Sequence, residues 1–194
     1  LVNLVAANIA FVGSHLAMSH ALRAPMVKAL GDKGFQGAYT LISFATLGWV
    51  YFAFIAAPGA DLGGSGEAGW VLATVLTWPA MVLLAGSFLG NPALPTPMAE
   101  EQARAEPRGV FLVTRHPMMW AIGLWAASHI VLMWSPRTLI TALAMGFLAL
   151  VGSWFQDAKK REQMGEAWAQ WAAKTSYWPR FGKLLNVGAV PLVA

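Results

Sequence analysis

The sequence predicts an all-α fold: a polytopic membrane helix bundle with about five transmembrane helices and a cytoplasmic C-terminal amphipathic helix. Hydrophobic residues make up 57% of the 194 residues and charged residues only 11%, whereas soluble domains carry roughly 25% charged residues. The apolar residues fall into five runs, each close to the ~20 residues that cross a bilayer. We therefore expect a single integral membrane domain over residues 1–194, with membrane lipid as a partner.

The loops between the five predicted spans differ in charge. In order, the spans are Leu1–Leu22, Gly37–Ala57, Gly69–Leu89, Val110–Met133 and Pro136–Phe155. Twelve of the thirteen Lys and Arg residues lie on one side of this arrangement, in two loops and the tail. The positive-inside rule then predicts an outside N-terminus and a cytoplasmic C-terminus. The same clustering accounts for the sequence pI near 9.7, so we expect no nucleic-acid partner.

Shorter elements are predicted between and after the spans. We expect an amphipathic interfacial stretch at Ala24–Gln36. A proline-rich extended loop is predicted at Asn91–Pro97, and a brief polar helix at Ala99–Ala105. Asp157–Lys174 predicts a cytoplasmic amphipathic helix with Trp168 and Trp171 as interface anchors. The chain has no cysteine, which excludes disulfides, thiolate metal sites and cysteine nucleophiles.

The stretch from Gly109 to Trp120 places an arginine, a histidine and a proline in succession before an apolar run. Pro117 lacks an amide donor and has φ preset near the helical value, so it suits the first turn of a helix. Arg115 would then lie at the membrane boundary and His116 just inside the apolar zone. An imidazole in the membrane is costly without a partner. His116 therefore either serves a functional site or hydrogen-bonds a neighbouring helix, and both interpretations are open from the sequence.

A polar stripe on the first span supplies a possible partner for His116. Asn8, His15 and Ser19 fall within about 20° of one helix face, which should point into the bundle. His15 lies roughly 10 Å before the cytoplasmic end of its span, and His116 lies at a similar depth in the fourth span. Two imidazoles on separate helices at matched depth could ligate one metal from opposite sides. Helix bundles hold haem in this way.

The other two histidines, His20 and His129, fit this site less well. His20 points about 140° away from His15 round the helix, and we expect it to be interfacial. His129 lies roughly 20 Å from His116 towards the outside. It would serve a second function or hydrogen-bond a carbonyl.

Residues near the Arg-His-Pro motif extend the candidate site. An apolar lining is predicted from Met118, Met119 and Trp120, although such side chains also pack helix cores. A cationic rim is predicted from Arg104, Arg108 and Arg115. These cations could pair with anionic groups such as haem propionates, but solvated positive-inside charges would look the same.

Several short motifs occur in a fixed order along the chain: His15 with Ala21–Arg23, then Asn91–Pro92, Gly109–Pro117, Trp125–His129, Gln156–Arg161, Gly165–Trp168 and Thr175–Pro179. With this set the chain resembles the NnrU family from about His15 to Arg180. That family includes the plant and algal 15-cis-zeta-carotene isomerase. In bacteria the NnrU name is attached to nitrite and nitric oxide metabolism.

The resemblance implies a multi-span bundle that binds haem b. Histidines matching His15 and His116 are the implied axial ligands, and a histidine matching His129 is implied to matter for activity. We therefore expect a redox-gated cis–trans isomerase of a lipophilic polyene such as 15-cis-zeta-carotene, with His129 as its catalytic residue. The expected location is a bacterial inner membrane.

Two other functions remain open. Membrane methyltransferases of the isoprenylcysteine or phospholipid type, which use S-adenosylmethionine, share the Arg-His-Pro turn and a helix that Glu162 and Gly165–Trp168 resemble. The paired glutamates of those enzymes are absent here, and such an enzyme has no need for His15. The third possibility is a non-enzymatic membrane regulator linked to nitric oxide metabolism, against which the polar stripe of the first span counts.

Overall fold

The chain is helical throughout most of the part that the structure describes. The computed structural model describes residues 1–60, 62 and 66–187, and none of these residues lies in a strand. In chain order the helices are α1 (Val2–Ser19), α2 (Arg23–Ala56), α3 (Gly66–Gly86), α4 (Ala99–Arg104), α5 (Pro117–Leu132), α6 (Pro136–Met164) and α7 (Glu166–Lys174). Short 3₁₀ helices occur at Gly109–Leu112 and Phe181–Asn186. The predicted all-α class is confirmed.

Four of these helices, α1, α2, α3 and α6, are long and apolar enough to cross a membrane. α5 is apolar but has only 16 residues. At 1.5 Å per residue it rises about 24 Å, less than the ~30 Å hydrocarbon core of a bilayer. The start predicted for the fourth span, Val110, is therefore wrong. The α-helix begins only at Pro117, because proline disfavours the helical conformation in the residue before it.

Two glycines divide elements that the sequence predicts as continuous. Gly31 has φ 70° and ψ 170° inside α2, a conformation that glycine adopts without steric cost. The predicted interfacial stretch Ala24–Gln36 is split at this break, and its second part begins the long apolar portion of α2. Gly165, with φ 50° and ψ −120°, separates α6 from α7. The predicted amphipathic helix Asp157–Lys174 is therefore the end of one helix followed by another.

The chain forms two compact units. The first comprises Leu1–Leu72 and His129–Leu148, and the second comprises Ala73–Ser128 and the residues from Ala149 onward. Whether they belong to one domain, as predicted, stays a prediction.

In the first unit α1 packs along α2. The core consists of Leu4, Ala7, Phe11, Val50, Ala53 and Ala57. Asn8 is only 3% exposed. Its amide donates to the Leu4 carbonyl at 2.9 Å and to the Thr141 hydroxyl at 3.4 Å. The prediction that the polar face of α1 points inward is confirmed at this residue.

In the second unit α7 packs against α4, and two tryptophans of α7 enter the core. Trp168 and Trp171 are 0% and 2% exposed, and the Trp171 ring meets the Phe111 ring edge-on with centroids 5.4 Å apart. The prediction that these tryptophans anchor a membrane interface is wrong. The apolar face of α7 meets protein, where such large rings contribute most by burial.

Candidate functional site

The Arg-His-Pro turn leads into α5, which begins at Pro117 as the sequence predicts. Thr114, fully buried, organises the turn. Its hydroxyl donates to the Tyr177 carbonyl at 2.8 Å and accepts from the His116 amide at 3.2 Å. These bonds set the direction in which the Arg115 and His116 side chains leave the turn.

Arg115 and His116 both bind the carboxylate of Asp157 on α6. The Arg115 Nε donates to the two carboxylate oxygens at 2.9 and 3.0 Å, and a terminal guanidinium nitrogen also bonds one of them. His116 Nε2 lies 2.8 Å from Oδ1 of the same carboxylate. Because an ionised carboxylate only accepts hydrogen bonds, Nε2 carries the proton and donates it. We call these three side chains the Arg115–His116–Asp157 network.

The network is buried. The His116 side chain is 0% exposed, and those of Arg115 and Asp157 are 12% exposed each. The opposite charges of Arg115 and Asp157 compensate each other, as buried charges require. The rings of Trp168 and Tyr177 lie beside the imidazole, with centroids 6.3 and 5.5 Å away. His116 Nδ1 is buried and has no hydrogen-bond partner in the described part of the chain.

Residues 175–180, which we call the C-terminal segment, lie along the Arg-His-Pro turn. The Arg115 amide donates to the Ser176 carbonyl at 2.8 Å, and the Arg180 amide donates to the Val113 carbonyl at 2.9 Å. Backbone hydrogen bonds thus join the segment to the turn on both sides of Tyr177.

Tyr177 makes more hydrogen bonds than any other residue of the C-terminal segment. Its carbonyl accepts from Trp120 Nε1 at 2.9 Å, in addition to the bond from the Thr114 hydroxyl. Its hydroxyl lies 2.8 Å from the Ser153 hydroxyl and 3.1 Å from the Leu150 carbonyl. The Arg115 guanidinium lies 5.4 Å from the centre of the ring, within the range of a cation–π contact.

His15 lies in the first unit, on the wall of a cavity between α1 and α2. The cavity has a volume of about 260 Å³ and is lined by Phe11, His15, Tyr39, Thr40, Ser43, Phe44 and Leu47. His15 Nδ1 is 2.8 Å from the Phe11 carbonyl, so Nδ1 carries the proton and donates to it. Nε2 is then unprotonated, and it makes no hydrogen bond within the described residues.

The cavity combines aromatic walls with hydroxyl groups. The His15 ring packs against Phe11, at 4.2 Å between centroids, and meets Tyr39 edge-on at 5.5 Å. Ser43 Oγ is buried and has no hydrogen-bond partner among the residues described. Phe44 and Leu47 are 68% and 42% exposed, so the cavity opens to the outside of the unit.

The other predicted site residues have varied surroundings. Arg104 pairs with Glu100 at 2.7 Å, where both side chains are more than half exposed. Arg108 is exposed, and the side chains predicted to line an apolar cavity, Met118, Met119 and Trp120, are half-buried. His129 is half-buried in the first unit and has contacts of its own.

His15 and His116 belong to different units, and their predicted pairing on one iron stays a prediction. A matched depth of the two imidazoles requires a regular helix from Val110. Residues 109–112 instead form a 3₁₀ helix and α5 starts after His116. No group of three or more His, Cys, Asp or Glu side chains within residues 1–60, 62 and 66–187 is arranged to hold a metal ion.

Sequence reasoning missed Asp157 and Tyr177 as members of the site. A signal for Asp157 was present, since it is the only Asp or Glu between Glu106 and Glu162. A lone carboxylate at the end of an apolar run needs a cation, and Arg115 is a cation at the start of a neighbouring apolar run. Tyr177 lies within the Thr175–Pro179 motif, but that motif does not indicate its partners, because they depend on where the chain returns after α7.

Comparison with models of protein families shows to which family this chain belongs. The model described as "NnrU protein" matches residues 3–194, nearly the whole length. The chain belongs to the NnrU family. The resemblance noted from the ordered motifs is thereby confirmed. Neither the curated proteins nor the solved structures contain a match to this NnrU chain.

Proposed function

We propose that this NnrU chain is a multi-span membrane protein that binds haem b through His15 in the cavity between α1 and α2. The observation that carries the proposal is the state of the His15 imidazole. Histidines that ligate metals usually donate their other ring N–H to a carbonyl or carboxylate, which fixes the tautomer and orients the ring. The bond from His15 Nδ1 to the Phe11 carbonyl has this form, and it leaves the Nε2 lone pair for iron.

The other cavity residues suit a large, mainly apolar ligand. Phe11, Phe44 and Leu47 supply apolar surface that excludes water. The buried Ser43 hydroxyl is without a partner in the described chain, so it is available to a polar group on the ligand. When bound, haem supplies a redox-active iron that can act as a Lewis acid.

The activity that we propose is cis–trans isomerisation of a lipophilic polyene such as 15-cis-zeta-carotene. The support is the family membership together with a cavity whose exposed rim, Phe44 and Leu47, would face lipid. An apolar substrate would reach such a rim from the membrane without crossing water. The clustered cations support an orientation with the N-terminus outside and the C-terminus cytoplasmic, in a bacterial inner membrane.

An absorption spectrum of the purified protein tests the haem proposal. We expect a Soret band in the wild type and its loss in His15→Ala. His20→Ala is the matched control, because it removes an imidazole at the end of the same helix and should leave the spectrum unchanged. A colourless wild type from haem-replete cells would refute the proposal. If that colourless protein bound S-adenosylmethionine, the methyltransferase alternative would replace it.

The substrate is tested separately, in cells that accumulate 15-cis-zeta-carotene. We expect expression of the wild type to shift the isomer content under reducing conditions, measured by chromatography. A coloured protein that leaves the isomer content unchanged would refute the carotenoid substrate while leaving the haem site in place.

A further inference from the structure

We infer that His116 is a positioning residue, whose hydrogen bond to Asp157 holds the C-terminal segment against the Arg-His-Pro turn, and that it is not an iron ligand. The part of this inference that concerns iron rests on the proposed haem function. The part that concerns the C-terminal segment does not, and it is tested by a different measurement.

Both nitrogens of His116 are unsuited to iron in this arrangement. Nε2 donates its proton to Asp157 at 2.8 Å. To bind iron it would have to lose that proton and leave the carboxylate with one donor fewer. Nδ1 has no hydrogen-bond partner among the described residues, but it lies on the backbone side of the ring, two bonds from Cβ. The side chain is 0% exposed, and the rings of Trp168 and Tyr177 lie beside it. A porphyrin at Nδ1 would meet the backbone of His116 and these two rings.

In His15 the roles of the two ring nitrogens are reversed, which supports His15 and not His116 as the iron ligand. Its Nδ1, on the backbone side of the ring, donates a hydrogen bond to the Phe11 carbonyl. Its Nε2 lies at the outer edge of the ring, which lines an open cavity. The two histidines that the sequence treats as equivalent ligands therefore differ in which nitrogen is free and in whether a ligand has room.

The hydrogen bond of His116 acts on the C-terminal segment through Asp157 and Arg115. Asp157 holds the guanidinium of Arg115, which stacks on Tyr177, while the Arg115 amide binds the Ser176 carbonyl. Removing the His116 donor leaves a buried carboxylate with one partner fewer, and it loosens the position of Arg115. The C-terminal segment should then detach more often.

Two amide substitutions separate the positioning role from ligation. In His116→Gln the side-chain amide nitrogen reaches about the position of Nε2 and can still donate to Asp157. In His116→Asn the amide nitrogen is nearer the backbone and cannot reach it. Neither amide replaces imidazole as a haem ligand, so an iron-binding role would be lost equally in both variants.

The readouts are limited trypsin digestion in detergent, followed by mass spectrometry of cleavage after Arg180, and the absorption spectrum. We expect His116→Gln to match the wild type in both. We expect His116→Asn to be cleaved about tenfold faster, since loss of a hydrogen bond to a buried charge raises the population of the open state by about that factor. If His116→Asn does not accumulate in cells, His116→Gln alone tests the inference, because it keeps the hydrogen-bond donor to Asp157 and removes the imidazole.

Loss of the haem spectrum in His116→Gln, with cleavage unchanged, would overturn the inference and restore His116 as a ligand. Cleavage of His116→Gln as fast as that of His116→Asn would also overturn it. If the wild type proves colourless, the haem proposal fails, and the cleavage rates alone still decide the positioning role.

Discussion

Asp157→Asn should lower the stability of this protein more than any substitution at an exposed ion pair. The change keeps the shape of the side chain but leaves the Arg115 guanidinium buried without a counter-charge. Breaking a buried pair costs about 3–5 kcal/mol of the free energy of unfolding. Because both side chains retain 12% exposure, we take the lower end, about 3 kcal/mol. At about 2–4 °C per kcal/mol for a chain of this size, the Tm should fall by about 6–12 °C.

The assay is thermal unfolding in detergent, followed by near-ultraviolet circular dichroism. The matched control is Glu100→Gln, which removes the carboxylate of the Arg104–Glu100 pair on α4. Those side chains are 52% and 60% exposed, and an exposed pair of this kind contributes less than about 0.5 kcal/mol. If Asp157→Asn shifted the Tm no more than Glu100→Gln, the network would contribute little to stability, and the reasoning from burial would be refuted.

Three further predictions, one of them with a matched control substitution, test other parts of the structure. Gly86→Ala should destabilise the second unit by about 1–3 kcal/mol, because its new methyl group would overlap the Val110 side chain. Gly152→Ala, also in a helix but with open space around it, should be neutral or stabilising, and equal Tm shifts in the two variants would contradict this. Tyr177→Phe removes only the hydroxyl bonds to α6 and should cost about 1 kcal/mol, so a Tm equal to that of the wild type would show that these bonds contribute nothing. His129→Ala should keep the haem spectrum and lose polyene isomerisation, and an isomer content like that of the wild type would exclude a catalytic role.

Local chemistry determined the parts of this fold that the sequence predicts correctly. Long apolar runs specify helices of membrane-spanning length, since a backbone in lipid must satisfy its own hydrogen bonds. Pro117 starts α5 because its missing amide proton would be unpaired there in any case. Asn8 lies inward because a buried amide needs partners that lipid does not offer. Each of these follows from a residue and its immediate neighbours along the chain.

The surroundings of His15 and His116 could not be predicted from residues and their neighbours along the chain. From the sequence, His15 and His116 are two imidazoles at similar depths. The structure places the first beside an open cavity, with its tautomer set by a carbonyl of its own helix. It places the second, fully buried, in a network whose carboxylate comes from α6. The two histidines thus differ in which ring nitrogen is free and in whether a ligand has room, and contacts made in the folded chain decide both.

The sequence by itself determined the all-helical membrane class, the family and the choice of Arg115 and His116 as residues of interest. Only the tertiary structure decided that Asp157 binds both of them, and that Trp168 and Trp171 face protein. An amphipathic pattern specifies that one side of α7 is apolar, but the same pattern suits lipid and protein equally. The partner of a buried charge is likewise set by which helices pack together, and the contact between Arg115 and Asp157 joins residues 42 positions apart. Those contacts depend on packing over distances that no local sequence pattern encodes.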